Sequence, residues 1–320
     1  MNNLAIFSGN AHPQLAKDIC RELGITLGKA QVFEFTNENI FVKIDENVRG
    51  CDVFVVQPLT TPVNRSIMEL LIILDAFKRA SAQRVTAVIP YYAYGRTDKK
   101  DQPRVPITAR LIADCLSVAG AGRMLTMDLH AGQIQGFFNI PVDELTAKNL
   151  MANYIRERRI DDLTVVATDA GFAKKARNLA ELLDAPLAIV EKRRVGNNGQ
   201  AEAMSLIGSV AGRNALIVDD EIDTAGSLIQ AAQVTREHGA REVYACASHG
   251  ILSGPAIERL RSSGLTELIL TDSVPPKPDM RLPFVTTLSV APLFAGAILR
   301  IHEERSVSEL FDGHHEHSQK

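Results

Sequence analysis

Cysteine is sparse and unpatterned in this chain. Cys20, Cys51, Cys115 and Cys246 are scattered through 320 residues, and no pair has metal-ligand or redox spacing. A disulfide scaffold and a zinc-stapled module are therefore excluded, and the usage predicts a reduced, cytosolic protein. Charge of one sign is also missing. The net charge is −3, so no global field favours nucleic acid or an anionic membrane, and affinity for anions must come from local clusters. Long hydrophobic runs are lacking too. The longest, IMELLIILDAF, holds two acids and falls far short of a membrane span. The opening MNNLAIFSGNAHPQLAKD has no basic region followed by a long apolar one, which predicts no signal peptide. No Gly/Ser-rich or Pro-rich linker, short-period repeat, Ser-His-Asp set or Cys-His set is visible.

The composition that remains is that of an ordinary globular protein, with 46% apolar and 23% charged residues. The length suits two domains of about 150 residues. Short apolar runs alternate with helical patterns throughout. LAIFSG precedes HPQLAKDICRELG, in which Leu15, Ile19 and Leu23 fall four apart on one helical face. The strand runs are nearly continuous in Val, Ile and Ala, the mark of parallel strands covered on both faces. The pattern restarts at LTVVATDAG, which predicts an α/β protein of two mainly parallel sheets flanked by helices. The expected domains are 1–146 and 147–320, with a seam near 143–150. The tail FDGHHEHSQK, with His314, His315 and His317, reads as a polar, frayed end.

In such sheets ligands sit at the carboxyl ends of strands, and five stretches there carry candidate chemistry. In IVDDEIDTAGSL, 217–228, a strand ending near Val218 runs into Asp219, Asp220 and Asp223, then into the turn Thr224, Ala225, Gly226, Ser227 and a helix. Amides at that helix start suit a phosphate. Acids beside an anion make sense when they accept hydrogen bonds from neutral hydroxyls, and a sugar phosphate offers both kinds of group. In YYAYGRTDKKDQPRVP, Arg96, Lys99, Lys100 and Arg104 form a local cationic spot, partly neutralised by Asp98 and Asp101. In LTMDLHAGQIQGFF, Asp128 and His130 fall two apart on an expected strand, on one side of it. Asp169 ends another strand before a helix start. In AIVEKRRVGNNGQ, Lys192, Arg193 and Arg194 close a strand before a loop fit to move.

These motifs, together with FEFTNENIFVKIDENVRGCDVF at 33–54, resemble the ribose-phosphate pyrophosphokinase family, in the family's order and over nearly the whole chain, through RSVSELF at 305–311. The resemblance implies two phosphoribosyltransferase-like domains. It implies transfer of the β,γ-pyrophosphoryl group of Mg-ATP to the 1-hydroxyl of ribose 5-phosphate, giving phosphoribosyl pyrophosphate and AMP for nucleotide biosynthesis. It makes Lys192 and Arg194 catalytic. It sets Arg194, Asp219, Asp220, Asp223, Thr224, Ala225, Gly226 and Ser227 on ribose 5-phosphate. Phe35, Asn37, Glu38, Asn39, Arg96 and Thr97 fall on ATP, and His130 and Asp169 on Mg²⁺. The family often has Gln where Thr97 stands and Asp-Gly-Glu where Asn37, Glu38 and Asn39 stand. It often has Pro before the Asp169 position and two Gly soon after, where this chain has Thr168 and Gly171. Self-association, often as a hexamer, is implied by an adenine site shared between subunits. Phosphate or ADP effectors are implied near Asn47, Arg49 and Ser308. Two other readings stay open: a phosphoribosyltransferase that consumes the product, and a non-catalytic, synthetase-associated regulatory subunit.

Overall fold

The computed structural model describes residues 3–195, 201–277 and 282–310. The GNNGQ loop and the histidine tail lie outside the described residues, as do the side chains of 192–195 and 201–203. The chain forms two compact units. One comprises residues up to Leu145 with Ser273–Pro275 and the segment from Ser289 on; the other comprises Thr146–Asp272 and Pro276–Leu288.

In the first unit β1 (Leu4–Ser8) leads to α1 (Pro13–Leu23), a hairpin of β2 (Ala30–Glu34) and β3 (Ile40–Ile44), β4 (Asp52–Val56), α2 (Val63–Arg79), β5 (Arg84–Ile89), α3 (Thr108–Ala119), β6 (Arg123–Met127) and β7 (Val142–Leu145). The sheet order is β1-β4-β5-β6-β7, all parallel. Every residue of β4 is buried, as a strand covered on both faces requires. Helix α1 starts with Pro13, its first turn capped by the His12 ring, and stops at Gly24 in the left-handed conformation. Leu15, Ile19 and Leu23 are all buried. Phe7 and Phe77 pack with ring centroids 4.6 Å apart inside the core.

The second unit runs α4 (Lys148–Arg158), β8 (Leu163–Ala167), α5 (Ala173–Leu183), β9 (Leu187–Val195), β10 (Ala201–Ile207), β11 (Asn214–Ile222), α6 (Gly226–Glu237), β12 (Val243–Gly250), α7 (Ala256–Arg261), β13 (Glu267–Thr271) and β14 (Val285–Leu288). Its sheet order is β10-β9-β8-β11-β12-β13-β14. Only the β9–β10 pair among the described ladders of this sheet is antiparallel. Both sheets are thus mainly parallel and helix-covered, as the apolar runs predict.

The chain then returns. Helix α8 (Ala291–His302) packs on α1 in the first unit, so a single division at 146/147 does not separate the two units. Buried Asp52, at the start of β4, accepts from Arg84 Nε at 2.7 Å and lies 2.9 Å from His302 Nδ1. Arg84 also donates to the Ile301 carbonyl at 3.0 Å. The end of α8 is thereby tied to the amino-terminal edge of the sheet.

At the opposite edge, Glu69 of α2 is only 3% exposed. It accepts from the Asn10 backbone N–H at 2.6 Å, Asn10 Nδ2 at 2.9 Å and Gln57 Nε2 at 2.8 Å. Asn10 Nδ2 also reaches the Val32 carbonyl of the hairpin at 3.1 Å. One carboxylate therefore holds the β1–α1 turn against α2. Glu69→Ala would leave three donors without this acceptor and should cost about 3 kcal/mol, read as a lowered thermal unfolding midpoint. A midpoint within a degree or so of the parent's would show that water replaces the carboxylate.

Candidate active site

Most of the site residues expected from the sequence fall at the carboxyl ends of the parallel strands. In the second unit, β11 is longer than expected. It pairs with β12 out to Ile222, opposite Gly250, so Asp219 and Asp220 belong to the strand and not to a loop after Val218. The reason is pairing. The adjacent β12 continues to Gly250, and its ladder holds the acidic residues extended, although the register skips Asp220.

Asp219 is the best-defined acid of the group. Its Oδ2 accepts from Thr168 Oγ1 at 2.9 Å, across from the end of β8, and its Oδ1 accepts from the Asp220 N–H at 2.9 Å. Asp220 is 6% exposed, and its Oδ1 accepts from the Glu221 N–H at 3.0 Å. Burial, then the neighbouring Asp220 carboxyl, push the Asp219 carboxyl well above the usual carboxylate range, against the hydrogen bonds from Thr168 and the Asp220 amide. Two close carboxyls that resist joint ionisation are suited to hydrogen-bonding neutral hydroxyls.

The turn after β11 is built tightly. Ala225 has φ 60°, in the left-handed region, and stands at the start of α6. Ser253 donates its hydroxyl to Asp223 Oδ1, and its N–H to the Asp223 carbonyl at 2.9 Å. Arg259 Nη1 donates to the Thr224 carbonyl at 2.9 Å. A Cβ on Gly226 would stand 3.3 Å from that same nitrogen. Thr224 and Ser227 are exposed at the mouth of the turn.

Asp169 is exposed just past β8, and its Oδ1 accepts from the Phe172 N–H at 2.9 Å, closing the turn before α5. Lys192 and Arg194 lie on β9 opposite Met204 and Glu202 of β10. They stand beyond the last β8–β9 pair, Ala167 with Ile189, on the same edge as Asp169. Their side chains are outside the described residues.

In the first unit, Arg96 and Thr97 lie in the long connection from β5 to α3. Thr97 donates both its N–H, at 2.9 Å, and its hydroxyl, at 2.8 Å, to the Tyr94 carbonyl. Its hydroxyl proton is spent inside the loop, while its lone pairs can still accept. Arg96 is exposed. The expected strand through Asp128 and His130 is not formed. β6 ends at Met127, and Asp128 adopts φ 41°, a left-handed conformation that breaks the extended chain. His130 therefore sits on an exposed loop, close under Gly95, where an added Cβ would approach the His130 Cβ to 3.3 Å. Two residues not singled out from the sequence shape this loop. Glu144 accepts from the Leu129 N–H at 2.9 Å and from Gln135 Nε2. Gln133 Nε2 donates to buried Asp98, joining the His130 loop to the cationic loop.

Phe35 is not core. It follows β2 at the tip of the hairpin and is 48% exposed. Phe33, Phe35 and Phe41 form an open aromatic cluster with centroids 4.8–5.8 Å apart. Asn37, Glu38 and Asn39 make the turn: Phe35 N–H to the Asn39 carbonyl at 2.9 Å, Asn39 N–H to Asn37 Oδ1 at 3.2 Å, and φ 66° at Glu38.

A chain with two mainly parallel, helix-flanked sheets of this order has a phosphoribosyltransferase-like fold, and comparison with known proteins agrees. Residues 4–120 match the N-terminal domain of ribose phosphate pyrophosphokinase, and residues 195–312 match the phosphoribosyl synthetase-associated domain. The chain belongs to the ribose-phosphate pyrophosphokinase family. It is 53% identical over 311 residues to the ribose-phosphate pyrophosphokinase of Caldanaerobacter subterraneus subsp. tengcongensis, covering 97% of this chain and 98% of that one. It is also 53% identical to the Clostridium acetobutylicum ribose-phosphate pyrophosphokinase, with 97% of each chain covered. The crystal structure of the Mycobacterium smegmatis phosphoribosylpyrophosphate synthetase superposes with a TM-score of 0.90 at 44% identity, over 95% of this chain and all of that one.

The Asp219 shift has a signed consequence for stability. Between about pH 4 and its raised value, the folded chain keeps a proton that the unfolded chain releases. This contribution to stability is full at low pH and is lost as pH rises through that window. Asp219→Asn removes the titration, so its unfolding midpoint, relative to wild type, should improve steadily with rising pH. Parallel midpoint-versus-pH curves for the two proteins would rule the shift out.

Proposed function

We propose that this protein is a ribose-phosphate pyrophosphokinase, with the β11–α6 turn as its ribose 5-phosphate site. The 1-hydroxyl of the sugar attacks the β-phosphorus of ATP in line: a bond forms from O1 to phosphorus, the bond to the AMP oxygen breaks, and the hydroxyl proton passes to water. Phosphoribosyl pyrophosphate and AMP result. Family membership and the acid-plus-amide turn at 219–227 together support this reading.

The chain's own groups have distinct work. The turn amides and Ser227 hold the 5-phosphate. The Asp219–Asp220 pair accepts from the sugar hydroxyls. Arg96 orients the triphosphate from the cationic loop, with Thr97 holding that loop in shape. The exposed Phe35 ring offers a stacking face for adenine, flanked by Asn37, Glu38 and Asn39. Lys192 and Arg194 close on the reacting phosphates, exclude water and stabilise charge developing on oxygen.

Asp169 offers magnesium the carboxylate oxygen it favours, and His130 enters the set through the family resemblance alone. Among the described residues no group of three or more His, Cys, Asp or Glu stands ready to hold a metal, but Mg²⁺ keeps several waters and needs few protein ligands besides phosphate. Asp169 and His130 are each exposed past a strand end of their own unit, and each would serve as a magnesium ligand. Once bound, the ion supplies charge neutralisation on the phosphate oxygens.

The remaining features fit the same reading. Four free thiols suit the reducing cytoplasm. Among the described residues no helix is long and apolar enough to cross a membrane. The exposed aromatic hairpin suits an adenine site completed by self-association, in a hexamer open to phosphate or ADP as effectors.

Purified protein given ATP, Mg²⁺ and ribose 5-phosphate should yield AMP and phosphoribosyl pyrophosphate in equal amounts; ADP as the nucleotide product would sink the proposal. Lys192→Ala should lower kcat by roughly 10²–10³ with an unchanged unfolding midpoint, and near-normal turnover would remove Lys192 from the mechanism.

A further inference from the structure

The turn that follows β11 has two of its carbonyls tied to the neighbouring segment. The Asp223 carbonyl accepts from the Ser253 N–H at 2.9 Å, and the Thr224 carbonyl accepts from Arg259 Nη1 at 2.9 Å. In a trans peptide the C=O and the next N–H point in opposite directions. Fixing these two carbonyls toward 253–259 therefore turns the N–H groups of Thr224 and Ala225 to the other side, together. Two successive amides aimed to one side make a concave anion cradle. Left-handed Ala225 is the residue that lets the second peptide plane keep this orientation before α6 begins.

The brace is itself anchored. The Leu252 and Ile251 N–H groups both donate to the Ile222 carbonyl at 3.0 Å, and Lys277 Nζ donates to the Leu252 carbonyl at 2.6 Å. Ser253 also donates its hydroxyl to the Asp223 carboxylate. That carboxylate is thereby directed to the brace. Gly226 leaves room for the guanidinium, since a Cβ there would crowd Arg259 Nη1 at 3.3 Å.

We propose that Ser253 and Arg259 are positioning residues of the sugar-phosphate site: they hold two peptide planes of the 223–225 turn so that the amides of Thr224 and Ala225 face the 5-phosphate. The inference rests on the reading of that turn as the ribose 5-phosphate site. Arg259 acts through the Thr224 carbonyl, and its charge adds a favourable field for the dianion.

Steady-state kinetics of the full chain test it. Arg259→Ala should raise the KM for ribose 5-phosphate by about tenfold to a hundredfold and move the KM for ATP less than about twofold. Arg259→Lys, which keeps a charged donor, should recover much of the loss, whereas Arg259→Met, which keeps only bulk, should not. Ser253→Ala provides a second approach should α7 loosen without its arginine, and it should shift the same KM in the same direction. An Arg259→Ala enzyme with wild-type KM for ribose 5-phosphate, or with both KM values raised alike, overturns the proposal. Ser227→Ala and Asp219→Asn, measured alongside, separate the two levels. If they raise the KM for ribose 5-phosphate and Arg259→Ala does not, the brace alone is overturned. If none of them does, the turn is not the sugar site, and the brace falls with it.

Discussion

Parallel strand pairing is the constraint from which the chemistry of this chain follows. When neighbouring strands run the same way, their carboxyl ends collect on one edge and hand over there to loops and helix starts. In the second unit, the ends of β8, β9 and β11 bring Asp169, the Lys192–Arg194 strand end and the Asp219–Ser227 segment to one edge. In the first, the ends of β5 and β6 do the same for the Arg96 and His130 loops. The opposite edges carry Asp52 with Arg84 and His302 in the first unit, and Glu267 with Tyr154, Thr286 and Arg158 in the second. These are satisfied ionic and hydrogen-bonded clusters. The candidate site groups are thus kept on one edge of each sheet, and the network-forming groups largely on the other.

The site edge is electrostatically uneven. A half-buried and a buried carboxyl share the end of β11, the first of them disfavoured as an anion, while the turn a few residues further on lies against an arginine. A ligand with hydroxyls at one end and a dianion at the other meets a matching surface, whereas a simple phosphate meets only half of it. On the proposed reading of 219–227, specificity for a sugar phosphate over free phosphate would arise from this juxtaposition within nine residues.

Much of the architecture is legible in the sequence because the signals are local and periodic. Leu15, Ile19 and Leu23 mark the buried face of α1, and the apolar run of β4 marks a strand covered on both sides. What escapes is set by contacts distant in sequence or by single backbone torsions. The length of β11 depends on β12 continuing beside it. The break at Asp128 is a positive φ that an Asp-Leu-His string does not announce. Phe35 is singled out in the sequence only through the family resemblance, and its exposure is set by the short β2–β3 hairpin that holds it out in solvent. Gln133 and Glu144 lie in or near a legible motif, but their work is to join loops, and only the fold reveals it. Ser253 and Arg259 reach the turn from some 30 residues downstream, with nothing in SGPAIER to flag them.

The return of α8 bears on how the protein is made. The ribosome finishes residues up to Leu145 early, yet α1 still lacks its covering helix and Asp52 still lacks His302. The first unit reaches its full set of partners only after the whole of the second has emerged. Until then an apolar helix face and a buried-type carboxylate stay open to water, a stage at which nascent chains are vulnerable to association and to chaperone capture.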